Sequence, residues 1–139
     1  MRAAAAHTFD VFVDEIGSWW PMTPHSIGQE KVVSATVERR LDGRVFETWD
    51  DGSEETWGRV IAWEPPTLFG MTWELLPAGT EVEVRFTAIG PTVTRVELEN
   101  RGWDRLTSEN LAAADTVAAG YTAGWARVLD ALRRRIDGD

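Results

Sequence analysis

Three charged residues, Glu38, Arg40 and Glu47, are the polar group in this sequence that most suggests chemistry. The dipeptide Asp42-Gly43 between them is a strong signal for a two-residue β-hairpin turn. With that turn, Arg40 lies opposite Val45. Glu38 then lies opposite Glu47, and the three charged side chains share one face of the sheet. Such a carboxylate–guanidinium cluster can orient the polar end of a ligand or serve in acid–base chemistry.

The face on which this polar cluster lies decides between two interpretations. On a cavity face the cluster would contact a ligand, whereas on the outer face it would be an ordinary solvated cross-strand pair. The face of the sheet opposite the charged cluster is the more apolar one; it carries Val33, Ala35, Val37 and Phe46. An apolar face is expected to turn towards the core, which favours the outer face for the charged cluster.

Metal and nucleophile motifs are missing from the sequence. There is no cysteine, and the two histidines, His7 and His25, have no carboxylate around them at metal-ligand spacing. Neither a glycine-rich phosphate loop nor a nucleophile elbow is present. We therefore predict no metal, no cofactor and no assigned catalytic residue, and the balance favours a protein that is not an enzyme.

Eight tryptophans are many for 139 residues. Large rings can fill a core or line an apolar pocket, and both interpretations hold if some rings face a cavity. Strand alternation and helical spacing select a candidate lining for a cavity between sheet and helix: Trp57, Met71, Trp73, Val84, Phe86, Tyr121 and Trp125.

Hydrophobic periodicity predicts the elements that position these residues. Residues 6 to 16 have helical spacing, and Gly17 is expected to end that helix. From 31 to 100 the period is two, and turn signals divide the stretch into about six antiparallel strands. After residue 107 the helical spacing returns. The prediction is a single α+β domain, residues 1–139, whose curved antiparallel sheet wraps around a long C-terminal helix.

The formal net charge of −9 argues against phosphate backbones and anionic membrane surfaces as partners, so we predict no nucleic-acid binding. No apolar run approaches the roughly 20 residues of a membrane span. The start of the chain is too brief for a secretory signal before the polar His7. These features predict a soluble, cytoplasmic protein.

Short motifs along nearly the whole chain resemble one superfamily in their order and spacing. They are Phe9-Asp10-Val11-Phe12, Trp19-Trp20-Pro21, Glu38 to Glu47 around Asp42-Gly43-Arg44, Trp57-Gly58-Arg59-Val60, Trp63-Glu64-Pro65-Pro66, Thr72-Trp73, Arg101-Gly102-Trp103, and Gly124-Trp125 before Val128-Leu129. The chain resembles the helix-grip, START-like superfamily that includes the birch pollen allergen and polyketide cyclases. Within it, the branch named for the activator of heat-shock-protein-90 ATPase is the most similar.

The resemblance implies the helix-grip fold and a cavity between the sheet and the long helix. Members usually begin with a strand before the first helix, but here only Met1 to Ala5 precede it. That strand is therefore expected to be missing or very short. An exposed sheet edge would follow, and a homodimer would cover it.

Three functions remain open at this point, because one fold hosts many. The aromatic excess and the resemblance favour a non-catalytic carrier or sensor of a small lipophilic molecule. The first alternative is an interaction module for a chaperone or another protein, as the resembling branch implies. The second alternative is a cyclase or dehydratase that uses the same pocket.

Overall fold

The computed structural model describes residues 1–21, 28–74, 80–101 and 125–138, and the structural statements below concern these ranges. The helices are α1 (Ala5–Asp14), α2 (Ile16–Trp19) and α3 (the described helical residues 125–137), with a 3₁₀ turn at Gln29–Lys31. The strands are β1 (Val32–Val37), β2 (Arg44–Trp49), β3 (Glu54–Glu64), β4 (Leu68–Trp73), β5 (Thr80–Gly90) and β6 (Val93–Arg101).

All six strands form one curled antiparallel meander in the order β1 to β6. Strand alternation places the apolar side chains on its concave face; Phe69, for example, lies opposite Val84. Val128 and Leu132 of α3 are fully buried in the same core. The predicted α+β helix-grip architecture is confirmed. No helix within the described ranges is long and apolar enough to cross a membrane.

The N-terminal helical segment differs in one detail from the expectation. It breaks at Glu15 into α1 and α2, and Gly17, which was expected to end the helix, lies inside α2. A Cβ on Gly17 would lie 2.8 Å from the backbone nitrogen of Ala35. The glycine therefore lets α2 lie directly against β1.

The expected short first strand corresponds to a single paired residue. Met1 and Thr94 exchange two backbone hydrogen bonds, of 2.8 and 2.9 Å. The hydroxyl of Thr94 also donates to the carbonyl of Ala3 at 2.7 Å. Met1 thus bonds to the outer edge of β6 at this point, and homodimerisation through that edge stays a prediction.

The predicted β1–β2 hairpin register is wrong. Val37 pairs with Val45, and Glu47 lies opposite Ala35 rather than opposite Glu38. Residues 38–43 form a longer connection, so Arg40 is not a ladder partner of Val45 either.

The reason is a tertiary contact of the expected turn. Asp42 donates its backbone N–H to the carbonyl of Val60 at 2.9 Å, and the N–H of Val60 donates to the carbonyl of Gly43 at 2.8 Å. The dipeptide therefore bonds to β3 instead of closing a two-residue hairpin. The pairing slips by three residues, and an odd slip moves a side chain to the opposite face.

Glu38 stays at the solvent-exposed end of this connection, where the backbone N–H of Arg44 donates to its carboxylate at 2.6 Å. This hydrogen bond lowers the pKa of Glu38, with the Arg40 and Arg44 guanidinium charges acting in the same direction. The charged form is therefore stabilised by folding, and that stability is lost as the pH falls through the lowered pKa.

We expect Glu38→Gln to be slightly less stable than the wild type at pH 7 and equally stable at low pH. The difference should begin to shrink near the ordinary carboxyl pKa of 4.5 and should disappear as the pH falls through the lowered pKa of the folded protein, because the carboxylate advantage ends once Glu38 is protonated. Thermal melts of both proteins between pH 7 and pH 3 measure it. A stability difference that grows on acidification would contradict this assignment.

Candidate functional site

Four tryptophan rings, three from β3, β4 and α3 and one from the residue after α2, meet on the concave side of the sheet. Trp57 of β3 and Trp73 of β4 come from the sheet, Trp20 follows α2, and Trp125 begins the described part of α3. The ring centroids of Trp20 and Trp57 lie 4.8 Å apart, and those of Trp73 and Trp125 are also 4.8 Å apart. Trp20 lies 6.1 Å from Trp125, which closes the group. We call these four rings the tryptophan cluster.

A β-bulge in β3 puts Trp57 into this cluster. Val45 pairs with Gly58 and Phe46 pairs with Thr56, so Trp57 is an extra residue on the β3 side. Regular alternation would place residues 57 and 60 on opposite faces, yet both are fully buried. The bulge re-aims the indole towards the interior, which is a common use of bulges near binding sites.

Glu47 is fully buried beside the cluster. Its Oε1 accepts the indole N–H of Trp57 at 2.6 Å. Its Oε2 accepts the indole N–H of Trp49 and the backbone N–H of Gly28, each at 2.6 Å. These donors suit a carboxylate that acts only as an acceptor. The interior therefore combines large apolar rings with one buried acid.

The chain matches the model of the Activator of Hsp90 ATPase homolog 1-like protein family over residues 2–137, with the curled sheet and the C-terminal helix that the resemblance implied. The chain belongs to this family. The family assignment made from the sequence motifs is thus confirmed.

Solved structures support the same assignment. CalC from Micromonospora echinospora, a self-sacrificing resistance protein, is 26% identical with a TM-score of 0.70, covering 99% of this chain and 89% of CalC. The anthrahydroquino-γ-pyrone synthase Txn09 is 34% identical with a TM-score of 0.52, covering 71% of this chain and 70% of Txn09. Protein NE0264 from Nitrosomonas europaea, 12% identical with a TM-score of 0.68 over 99% of this chain and 90% of NE0264, shares the fold. No curated protein sequence matched.

The structure brings together only part of the lining that we predicted for this family member. Trp57, Trp73 and Trp125 meet in the tryptophan cluster. Phe86 lies apart from it, because its ring contacts Phe9 of α1 at a centroid distance of 5.1 Å.

Met71 and Val84 are buried on the same concave face, between the tryptophan cluster and the contact of Phe86 with Phe9. Tyr121 falls outside the described residues. Whether an open space separates sheet and helix stays a prediction.

The proposed cluster of Glu38, Arg40 and Glu47 does not exist as a unit. Glu38 and Arg40 form an ion pair of 3.5 Å at the rim, where the Arg40 side chain is 67% exposed. Glu47 lies on the concave face, so the outer position that we favoured for it is wrong. The odd register slip described above is the physical cause. No group of three potential metal ligands occurs in the described ranges.

Sequence reasoning missed two residues that shape the site. Trp20 was part of a family motif but was not assigned to the lining. Asn100 accepts the indole N–H of Trp125 at 3.3 Å and donates to the Thr80 hydroxyl at 3.1 Å. Alternation along β6, which puts Asn100 on the same face as Leu98, was the available signal.

A separate pocket of about 330 Å³ lies at the other end of β4. It is lined by Glu64, Thr67, Leu68, Arg85, Phe86, Thr87 and Ala88. Its volume suits a small ligand, but it contains neither the tryptophan cluster nor Glu47. It is therefore a competing location that a binding test must distinguish.

Proposed function

We propose that this protein binds a small lipophilic molecule between the concave face of the sheet and the C-terminal helix, as a non-catalytic carrier or sensor. The observation that carries the proposal is the tryptophan cluster, in which rings from sheet and helices meet at one place. Indole rings offer large flat apolar surfaces with few rotamers, so they bind ring-containing ligands at low entropic cost.

Trp125 is the least buried ring of the tryptophan cluster. Trp20, Trp57 and Trp73 are buried, whereas Trp125 is only partly buried. Its ring packs against Trp73, and its N–H bonds to Asn100. Trp125 is therefore the residue of the cluster at which we propose that the ligand makes contact.

The solved relatives support a small-molecule role. Txn09 is named as an anthrahydroquino-γ-pyrone synthase, and it shares 34% identity with this chain. CalC is named as a resistance protein. A cytoplasmic location belongs to the same proposal, and the absence of cysteine is compatible with it.

We expect Trp125→Ala to weaken the binding of a neutral dye such as Nile red by about tenfold, the equivalent of losing one aromatic contact and its buried area. Dye fluorescence and quenching of tryptophan emission measure the affinity. Trp63→Ala is the matched control, because Trp63 packs on Phe9 away from the cluster and its loss should leave binding intact.

Equal affinity of wild type and Trp125→Ala for every neutral dye would contradict the proposed site. Weakening by Arg85→Ala instead would assign the ligand to the separate pocket, because Arg85 lines that pocket. Saturable binding that depends on Trp125 alone would support the cluster.

The buried Glu47 favours a second candidate, a cyclase or dehydratase that uses this carboxylate as an acid or base. Mass spectrometry of the bound molecule before and after incubation separates the two. A ligand recovered unchanged supports the carrier, and a ligand that has lost water or closed a ring supports the enzyme.

The family description keeps a protein-interaction module as a third candidate. A pull-down with a purified chaperone, compared between wild type and Trp125→Ala, tests it. Retention that is indifferent to Trp125 and to added dye would favour a docking surface outside the cluster.

A further inference from the structure

We propose that the separate pocket beside Leu68 binds a second kind of ligand, a zwitterionic α-amino acid with an apolar side chain. This inference goes beyond the proposed function, because no ring of the tryptophan cluster lines this pocket. Two features carry it. An acid and a base flank an apolar floor, and an uncovered stretch of β5 presents main-chain groups to the same space.

Glu64 and Arg85 lie on the two sides of Leu68 in this pocket. Glu64 lies opposite Leu68 in the β3–β4 ladder, and Leu68 lies opposite Arg85 in the β4–β5 ladder. Directly paired residues point to the same face, and two strand spacings separate the Cα atoms of Glu64 and Arg85 by about 10 Å. Arg85 forms its ion pair with Glu83 and not with Glu64. The two charges therefore leave a gap between them, over the side chain of Leu68.

The charges around Arg85 are balanced, which favours a ligand without a net charge. Arg85 pairs with Glu83, which also binds Arg101 at 2.5 Å. Glu97 lies opposite Arg85 on β6, and it is 4.0 Å from Arg95. A guanidinium has five N–H donors, and the Arg85 side chain is 59% exposed, so it can bind a second carboxylate beside Glu83. A zwitterion aligns its two ends with such a surface, whereas an ion of either sign also meets a like charge.

β5 extends past the start of β4 and presents a backbone donor to the pocket. The N–H of Phe86 donates to the carbonyl of Thr67 at 2.8 Å, so it points away from β6. Alternation gives the N–H of Ala88 the same direction. Ala88 lies opposite Thr94, whose own N–H bonds to Met1 on the outer side of β6, as expected for a pair that exchanges no hydrogen bonds. The N–H of Ala88 thus faces the pocket, and no acceptor in the described ranges bonds to it.

The turn between β3 and β4 leaves an acceptor at the same place. Thr67 donates its N–H and its hydroxyl to the carbonyl of Glu64, at 2.8 and 3.0 Å. Its N–H is therefore not the ladder partner of the Phe86 carbonyl. That carbonyl points to the same side of β5 as the Phe86 N–H, towards the pocket.

These groups match the parts of an amino acid one by one. The Glu64 carboxylate and the Phe86 carbonyl accept from the ligand's ammonium group. The Arg85 guanidinium and the Ala88 N–H donate to its carboxylate, and Leu68 contacts its side chain. Charge-assisted hydrogen bonds are the strong ones, so both ends contribute to affinity. The volume of about 330 Å³ is at the lower end of ligand pockets, which suits a single amino acid.

The test uses three probes with one side chain and different charges: L-leucine, leucinamide without the carboxylate, and N-acetylleucine without the ammonium group. Each is titrated into the isotope-labelled wild type, and backbone amide chemical shifts are followed by NMR. We expect saturable shifts with leucine, largest at Leu68 and Ala88. The other two probes should bind at least about tenfold more weakly, because each lacks one charge-assisted contact.

Two variants assign the ends of the ligand. Glu64→Gln should remove the preference for leucine over N-acetylleucine, and Arg85→Gln should remove the preference for leucine over leucinamide. Glu55→Gln is the matched control, since Glu55 is exposed near the other end of β3 and changes the net charge as Glu64→Gln does. It should leave both preferences unchanged.

The outcomes separate this inference from the proposed function, and the probe series on the wild type needs no variant to fold. Equal affinity for the three probes, or no saturable shift at Leu68 and Ala88, would overturn the amino-acid site and leave Nile red binding at the tryptophan cluster untouched. Saturable leucine shifts at the pocket in a protein that binds no neutral dye would support the amino-acid site and overturn the proposed function. Leucine that displaces Nile red would show one shared site and contradict the second one.

Discussion

Replacing Glu47 by Leu is expected to destabilise the protein by about 3 kcal/mol or more, because each buried donor left without its acceptor costs about 1–3 kcal/mol. The indole N–H groups of Trp49 and Trp57 and the backbone N–H of Gly28 all lose the same partner. Urea denaturation followed by circular dichroism gives the free energy of unfolding.

Glu54→Leu is the control for this prediction. Glu54 belongs to the neighbouring strand β3, where it is exposed and pairs with Arg44 at 3.2 Å. Exposed pairs contribute about 0–1 kcal/mol, so the control should change stability little. Equal, small losses for both variants would show that the Glu47 hydrogen bonds do not hold β2, β3 and the segment at Gly28 together.

Gly58→Ala is expected to lower the free energy of unfolding by about 3 kcal/mol or more, as overpacking against rigid backbone does at its upper range. A Cβ on Gly58 would lie 1.8 Å from the carbonyl oxygen of Thr72 on β4. That oxygen belongs to the neighbouring backbone, so β3 and β4 must separate beside the bulge. The cluster position of Trp57 should shift with them, visible as a changed tryptophan emission maximum.

Gly90→Ala provides the comparison, since a Cβ there meets no atom within 4 Å. It should be neutral or slightly stabilising, because alanine reduces the freedom of the unfolded chain. If Gly58→Ala were as stable as Gly90→Ala, the close approach of β3 and β4 at the bulge would be refuted.

Together these variants separate two causes of the site's geometry. Gly58 decides how closely the two strands approach, and Glu47 decides which groups converge behind the rings. The first acts through steric contact and the second through hydrogen bonding, so their effects on Trp57 should differ. Loss of Glu47 frees the indole N–H, whereas Gly58→Ala displaces the ring.

Local pattern predicted the elements well. Val82, Val84 and Phe86 alternate with charged residues in the sequence, and all three are buried on the concave face. In the C-terminal stretch of helical spacing, Val128 and Leu132 lie four residues apart, and both are buried in the core. Such patterns are readable because each residue's face depends only on neighbours a few positions away.

The sequence by itself therefore determined the family, the order of the elements and most of the apolar face. Only the tertiary structure decided where the charge lies. The bonds of Asp42 and Gly43 to Val60 set the β1–β2 register, and the odd slip turned Glu47 inward. The bulge then brought Trp57 to meet it. The register and the bulge both depend on contacts between residues far apart in the chain. The alternation of apolar and polar residues along one strand does not reveal which residues of the next strand it pairs with.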